Sequence, residues 1–176
     1  MPLSCEAQNE ETLTMSQLPA SAPATSGEAF AHINAVTDPT IDDLKLMVYL
    51  EASGQTAYFE MAQSAPNPEI AKLLEANGRE EMAHAHRVAG VIKLLSGEEF
   101  PVPAASENRY AVPSGRKVDR ALLEMLIGAE TNGCTLYADW ASHTSNPEAA
   151  AMLLQNGKEE VRHAERAAEA LKLLGE

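Results

Sequence analysis

Two short strings in this chain have the residue types and spacing to hold metal: Glu81-Met82-Ala83-His84 and Glu160-Val161-Arg162-His163. Each reads Glu-x-x-His inside a stretch of helical character. Residues three apart on a helix are stacked neighbours, with Cβ atoms about 5–6 Å apart. One turn can therefore aim a carboxylate and an imidazole at the same ion. The two copies stand 79 positions apart, and the same offset carries Glu51 onto Glu130. Two glutamates plus two Glu-x-x-His turns form the ligand set of a two-metal carboxylate site in a four-helix bundle. Glu51, Glu81, His84, Glu130, Glu160 and His163 are thus the expected metal ligands. Gathered in one core layer, unpaired carboxylates are costly to bury, and two divalent cations would balance the four negative charges. Oxygen-rich ligation with one imidazole per ion suits iron or manganese better than thiol-seeking metals. Zinc could bind, but two ions with open positions point to redox chemistry more than to hydrolysis.

The elements that must position these residues follow from local signals. Thr40 offers an N-cap, Pro39 stops anything earlier, and Asp42 and Asp43 suit the positive end of a helix dipole. The stripe Leu44, Met47/Val48, Glu51, Gln55, Tyr58, Ala62 has the 3/4 spacing of a face turned to a core. Asn67-Pro68-Glu69 starts the next helix, whose stripe runs Ile70, Leu74, Asn77, Glu81, His84, Val88, Val91, Leu95. A third helix begins near Asp119, with Leu123, Leu126/Ile127, Glu130, Cys134, Tyr137 and Ala141 inward. Asn146-Pro147-Glu148 opens the fourth, with Ala149, Leu153, Asn156, Glu160, His163, Ala167, Ala170 and Leu174 inward. Gly97, Pro101, Pro103, Pro113 and Gly115 rule out helix between the second and third. A connection of this length can run the length of a bundle, so the second and third helices can be parallel.

The two hairpins align without a gap. Besides the ligands, Gly54/Gly133, Tyr58/Tyr137, Asn77/Asn156, Gly78/Gly157, Glu80/Glu159 and Arg87/Arg166 match. The expected fold is all-α: a four-helix bundle of two duplicated hairpins, 40–96 and 118–175, joined by a crossover over 97–117. A pseudo-two-fold axis then brings the half-sites face to face. Residues 1–28, rich in Ser, Ala, Pro and Thr, read as a loosely attached tail, leaving 29–176 as the bundle domain. Within 29–36, Phe30, Ile33 and Val36 allow a short helix or packed lead-in.

At 176 residues the chain is long enough for one domain with a real core. Its formal net charge of −13 excludes a nucleic-acid partner, which needs basic patches, and fits attraction of cations. Cys5 and Cys134 form neither a disulfide framework nor a Cys-x-x-Cys knuckle. No run of 18 apolar residues and no signal sequence is present, so a cytoplasmic protein without a membrane partner is expected.

These ligand positions resemble the ferritin-like di-iron superfamily, and within it the rubrerythrins. The likeness rests on Glu51, Glu81-x-x-His84, Glu130 and Glu160-x-x-His163, with Tyr58, Tyr137 and the strings Glu-Glu-Met-Ala-His-Ala and Glu-Glu-Val-Arg-His-Ala in support. It covers about residues 40–97 and 118–176. The resemblance implies that Glu81 and Glu160 bridge two irons, Glu51 and Glu130 are terminal, and His84 and His163 hold one iron each. It further implies delivery of two electrons to peroxide or dioxygen, with Tyr58 and Tyr137 as supporting residues of the site. Two departures stand out. Paired Cys-x-x-Cys knuckles of a rubredoxin domain are absent, so electrons come from a separate donor or from ferrous iron itself. Where rubrerythrins place an extra glutamate one turn after the third-helix ligand, this chain has Gly133 and Cys134. Oxidation of an organic substrate, with Gly54 and Gly133 opening a pocket, and iron storage are the other readings; a homodimer is expected.

Further side chains carry more modest expectations. Tyr58 and Tyr137 read first as core tyrosines with satisfied hydroxyls, or as hydrogen-bond or electron-relay groups beside the site. Asn77 and Asn156 would support the ligands. Glu80 and Glu159 point about 100° away from the ligand direction and would pair with Arg87 or Arg166. His86 and His143 lack symmetric twins and read as surface residues, and Cys134 as a small core residue.

Overall fold

All five α-helix starts are written in capping chemistry. The computed structural model describes residues 18–175, which hold five helices and no strand: α1 Ser26–Ile33, α2 Ile41–Gln63, α3 Pro68–Ser96, α4 Arg120–His143 and α5 Pro147–Leu174. At α2, Thr40 Oγ1 accepts from Asp43 N at 3.2 Å while Asp43 Oδ2 accepts from Thr40 N at 2.9 Å. Asn67 and Asn146 do matching work at α3 and α5, each side chain accepting from two amides ahead of a proline-led first turn. Asp119 Oδ1 accepts from Leu122 N at 2.9 Å to start α4. Gly97, in the left-handed region at φ +76°, ends α3.

α2 packs on α3, α4 on α5, and α3 on α5. By contrast, no Cα of α2 comes within 8 Å of a Cα of α4. The bundle is closed along three seams and splayed along the fourth. Two apolar clusters fill it. One gathers Leu44, Val48, Val88, Val91, Trp140 and Leu153 towards one end. The other gathers Tyr58, Ile70, Leu74, Leu123, Ala167 and Ala170 towards the opposite end. Between them lies a polar layer.

The crossover runs along α2, as its contacts record in order. Glu98 pairs with Lys45 at 2.9 Å, the buried Asn108 donates from Nδ2 to Tyr49 O at 2.7 Å, and Glu60 accepts from Ser114 N at 2.8 Å and Gly115 N at 2.7 Å. The chain therefore returns to the far end of α2 before α4 begins, and α3 and α4 are parallel. Within the crossover only Ala105–Glu107 forms a single 3-10 turn.

The expected lead-in is α1, opened by a Thr25–Glu28 capping box, with Ile33 buried and Val36 O accepting from Trp140 Nε1 at 2.8 Å. Its first three residues lie inside the stretch read as tail; residues 1–17 of that stretch, with Cys5, fall outside the described residues. The inward stripes hold with small exceptions. Leu95 is 41% exposed at the end of its helix, and Cys134 is half-buried, packed beside Gly157 rather than in the core centre.

Asn108→Ala removes the buried anchor of the crossover. It should lower unfolding free energy by about 1–3 kcal/mol in a urea titration followed by circular dichroism.

Candidate metal centre

Helical periodicity delivers all six expected ligands to the polar layer. Glu51 comes from α2, Glu81 and His84 from α3, Glu130 from α4, and Glu160 and His163 from α5, and every one is buried. The imidazole rings stack with centroids 5.1 Å apart. His84 Nδ1 lies 3.4 Å from Glu51 Oε2 and 3.2 Å from Glu160 Oε1. His163 Nδ1 lies 3.2 Å from Glu81 Oε1, 3.5 Å from Glu130 Oε2 and 3.4 Å from Glu160 Oε2.

Three overlapping groups of these side chains have ligand atoms within 4.8 Å of one another and could hold metal. Glu81 and Glu160 each share a group with either imidazole. Glu51 does so only with His84, and Glu130 only with His163.

The imidazoles provide the test of fit. His84 Nε2 meets Glu159 Oε2 at 3.1 Å, and His163 Nε2 meets Glu80 Oε2 at 3.1 Å. Ionised carboxylates only accept, so each Nε2 carries the hydrogen. In the neutral ring that binds metal, Nδ1 is then the lone-pair atom, and both Nδ1 atoms are buried without a hydrogen-bond partner. Their contacts with the carboxylates, at 3.2–3.5 Å, are close enough for charge attraction. A buried acceptor aimed into a ring of carboxylates is what a cation would satisfy.

Glu80 and Glu159 are more than the arginine partners expected of them. Arg166 grips Glu80 through two contacts of 2.9 and 3.0 Å, and Arg162 adds one at 3.3 Å. Burial alone would raise the Glu80 carboxyl, but Arg166 and its neighbours bring it down to about 2. Glu159 is held by Arg87, by Gln155 at 2.7 Å and by Arg162 at 3.2 Å. Each of these glutamates orients the imidazole of the other hairpin. Sequence reasoning missed this role. Its trace was the glutamate preceding each ligand glutamate in both repeats, but the partner depends on how α3 crosses α5.

The same exchange recurs around the layer. Tyr58 donates to Glu130 Oε1 and Tyr137 to Glu51 Oε1, so each hydroxyl is satisfied by the other hairpin's glutamate. Burial, and then those same glutamates, push both phenols well above their usual range. Asn77 Nδ2 donates to His163 O at 3.2 Å, and Asn156 Nδ2 to His84 O at 3.3 Å. His86 and His143 are exposed, as expected.

Gly54 and Gly133 do not simply leave empty space. A Cβ on Gly54 would stand 2.8 Å from Glu81 Oε2, and one on Gly133 would stand 3.3 Å from Glu160 Cδ. The bare backbone lets each of these carboxylates lie against the facing helix.

Without a cation, protons must fill the layer. Burial pushes Glu81 well above the carboxylate range and Glu130 up to about 7. Burial works against charged imidazoles, yet carboxylates from Glu160 and Glu51 hold His84 at about 11, and those of Glu130, Glu160 and Glu81 hold His163 at about 12. Protons and metal thus compete for the same atoms. Metal uptake should release protons, and affinity should weaken as pH falls through about 7, where Glu130 titrates. Calorimetry in buffers of different ionisation enthalpy reads the release directly. Glu80→Gln or Glu159→Gln should weaken metal affinity by about 10–100-fold in competition with a chelating dye. Helix content should be unchanged.

A family model described as Rubrerythrin matches residues 43–171. The match takes in both hairpins and every residue of the polar layer. Among curated proteins, none matches the sequence. No helix of the described residues is long and apolar enough to cross a membrane. With the match covering most of its length, the chain belongs to the rubrerythrin family, a ferritin-like di-iron family.

Proposed function

We propose that this chain is a di-iron oxidoreductase that reduces peroxide or dioxygen. Glu51, Glu81, His84, Glu130, Glu160 and His163 are its ligands. The observation that carries this reading is the pair of buried Nδ1 atoms, unpartnered and facing four buried carboxylates. Glu81 and Glu160, each neighbouring both imidazoles, would hold metal between the two half-sites, and Glu51 and Glu130, each neighbouring one, would be the outer ligands. Bound there, two ferrous ions supply two electrons, which with two protons carry hydrogen peroxide to two waters.

The protein's part is to position the ligands. Tyr58 and Tyr137 fix one oxygen of each outer glutamate and leave the other to the site. Their raised pKa values keep the proton on the phenol oxygen at neutral pH. Glu80 and Glu159 hold the imidazoles in the tautomer that ligation requires. With no Cys-x-x-Cys pair in the chain, electrons reach the site from a separate donor or from ferrous iron. Manganese fits the same donors. The cavity described below favours a second reading, oxidation of an organic substrate.

Anaerobic ferrous titration should saturate at about two ions per chain. Stopped-flow mixing should then show oxidation by peroxide and by dioxygen, with the faster naming the physiological oxidant. Glu81→Ala or Glu160→Ala should abolish most of the binding. A folded wild type that stays free of iron and manganese in replete cells would remove the basis of this reading. Chelation should also lower the melting temperature: a ligand at a hundred times its dissociation constant adds about 2.7 kcal/mol to the native state.

A further inference from the structure

The splay between α2 and α4 encloses a cavity of about 460 Å³. Its inner end is the metal layer: Glu51, Glu81, Glu130 and Glu160 all line it. The walls are apolar, from Met47, Leu50 and Met61 on α2 and Leu122, Leu126 and Leu136 on α4. Its outer rim carries Phe30 of α1, Val112 of the crossover and Met125 of α4, which are 48%, 71% and 45% exposed. Peroxide and dioxygen have two heavy atoms and need no such chamber. Cavities of about 300–1,000 Å³ with apolar walls and a few polar groups are the usual seats of organic ligands.

Polar groups stand at both ends of the cavity. The inner end holds the four glutamates, whose charge protons or metal ions offset. The only cation among the lining residues is Arg116, which is exposed. No carboxylate pairs with Arg116 among the described residues; its side chain meets Met125 Sδ at 3.4 Å. The turn that carries it is fixed, because Glu60 accepts from Ser114 N and Gly115 N. An unpaired guanidinium at the mouth of an apolar chamber is a seat for a carboxylate or similar anion.

We propose that this cavity binds an amphipathic organic monoanion, with its charged head on Arg116 and its apolar chain directed at the metal layer. An anionic head is attracted by Arg116 and keeps its water at the rim, while the apolar walls take the chain, so the head faces outward. Occupancy of the cavity itself does not rest on the oxidoreductase reading.

Decanoate is the probe, with decanol and decylammonium as neutral and cationic controls, titrated by calorimetry into protein with and without metal. Decanoate should bind one per chain, decanol more weakly and decylammonium least. Arg116→Glu should weaken decanoate by about tenfold and leave decanol unchanged. Leu126→Trp, checked for native helix content and melting, should reduce binding of both. With manganese loaded, proton relaxation should broaden the terminal methyl of decanoate more than its α-methylene. Equal binding of the three probes, no binding, indifference to Arg116→Glu, or stronger broadening of the α-methylene would each overturn the proposal. So would a dimer, seen by sedimentation, whose formation shuts decanoate out. The metal-free titrations stand whether or not iron chemistry is found, so the two readings fail separately.

Discussion

Like charges buried together set the terms for the rest of this molecule. Four carboxylates share one core layer between two apolar clusters, where burial leaves little water to screen them. Such a layer survives only if positive charge, as protons or metal ions, enters it. Everything adjacent to the layer is arranged to direct where that charge sits. Arginines lie outside, on Glu80 and Glu159, and the imidazoles lie between those glutamates and the four inner carboxylates. The result is a shell of alternating sign on each side of the bundle centre.

The splay of α2 from α4 is the second constraint. The closed seams are those among α2–α3, α3–α5 and α5–α4, with the imidazoles on the tightly packed α3–α5 pair. On the splayed side only tyrosine–glutamate hydrogen bonds cross between the helices. A site closed at the back and open at the front admits small molecules while its ligands stay rigid. The crossover and α1 shape this open side, although neither contributes to the polar layer.

Much of this was legible in the sequence, for a definite reason. A polar side chain aimed inward is an error in an apolar stripe, and periodicity makes such errors visible at the candidate ligands Glu51, Glu81, His84, Glu130, Glu160 and His163. Duplication made them visible twice. Caps at Thr40, Asn67, Asp119 and Asn146 are local chemistry, so they were legible too. Contacts between helices were not. The tyrosines sit two turns from a glutamate of their own helix but bond to the facing one, and Glu80 and Glu159 could be paired with arginines but not with an imidazole. Both depend on interhelical register. The open seam was also hidden, because the stripes of all four helices look equally apolar; Gly54 and Gly133, read as opening a pocket, do line the cavity and also let carboxylates lie against them.

Almost every bond that orients the polar layer passes from one hairpin to the other: tyrosine to glutamate, glutamate to imidazole, asparagine to carbonyl. Half of the molecule therefore cannot build half of the centre. A forebear comprising a single hairpin would have needed a twin chain from the outset, and gene fusion would only have made that partnership permanent. The long strap along α2 is what such a joining would require, since it must span the bundle for the second half to face the first.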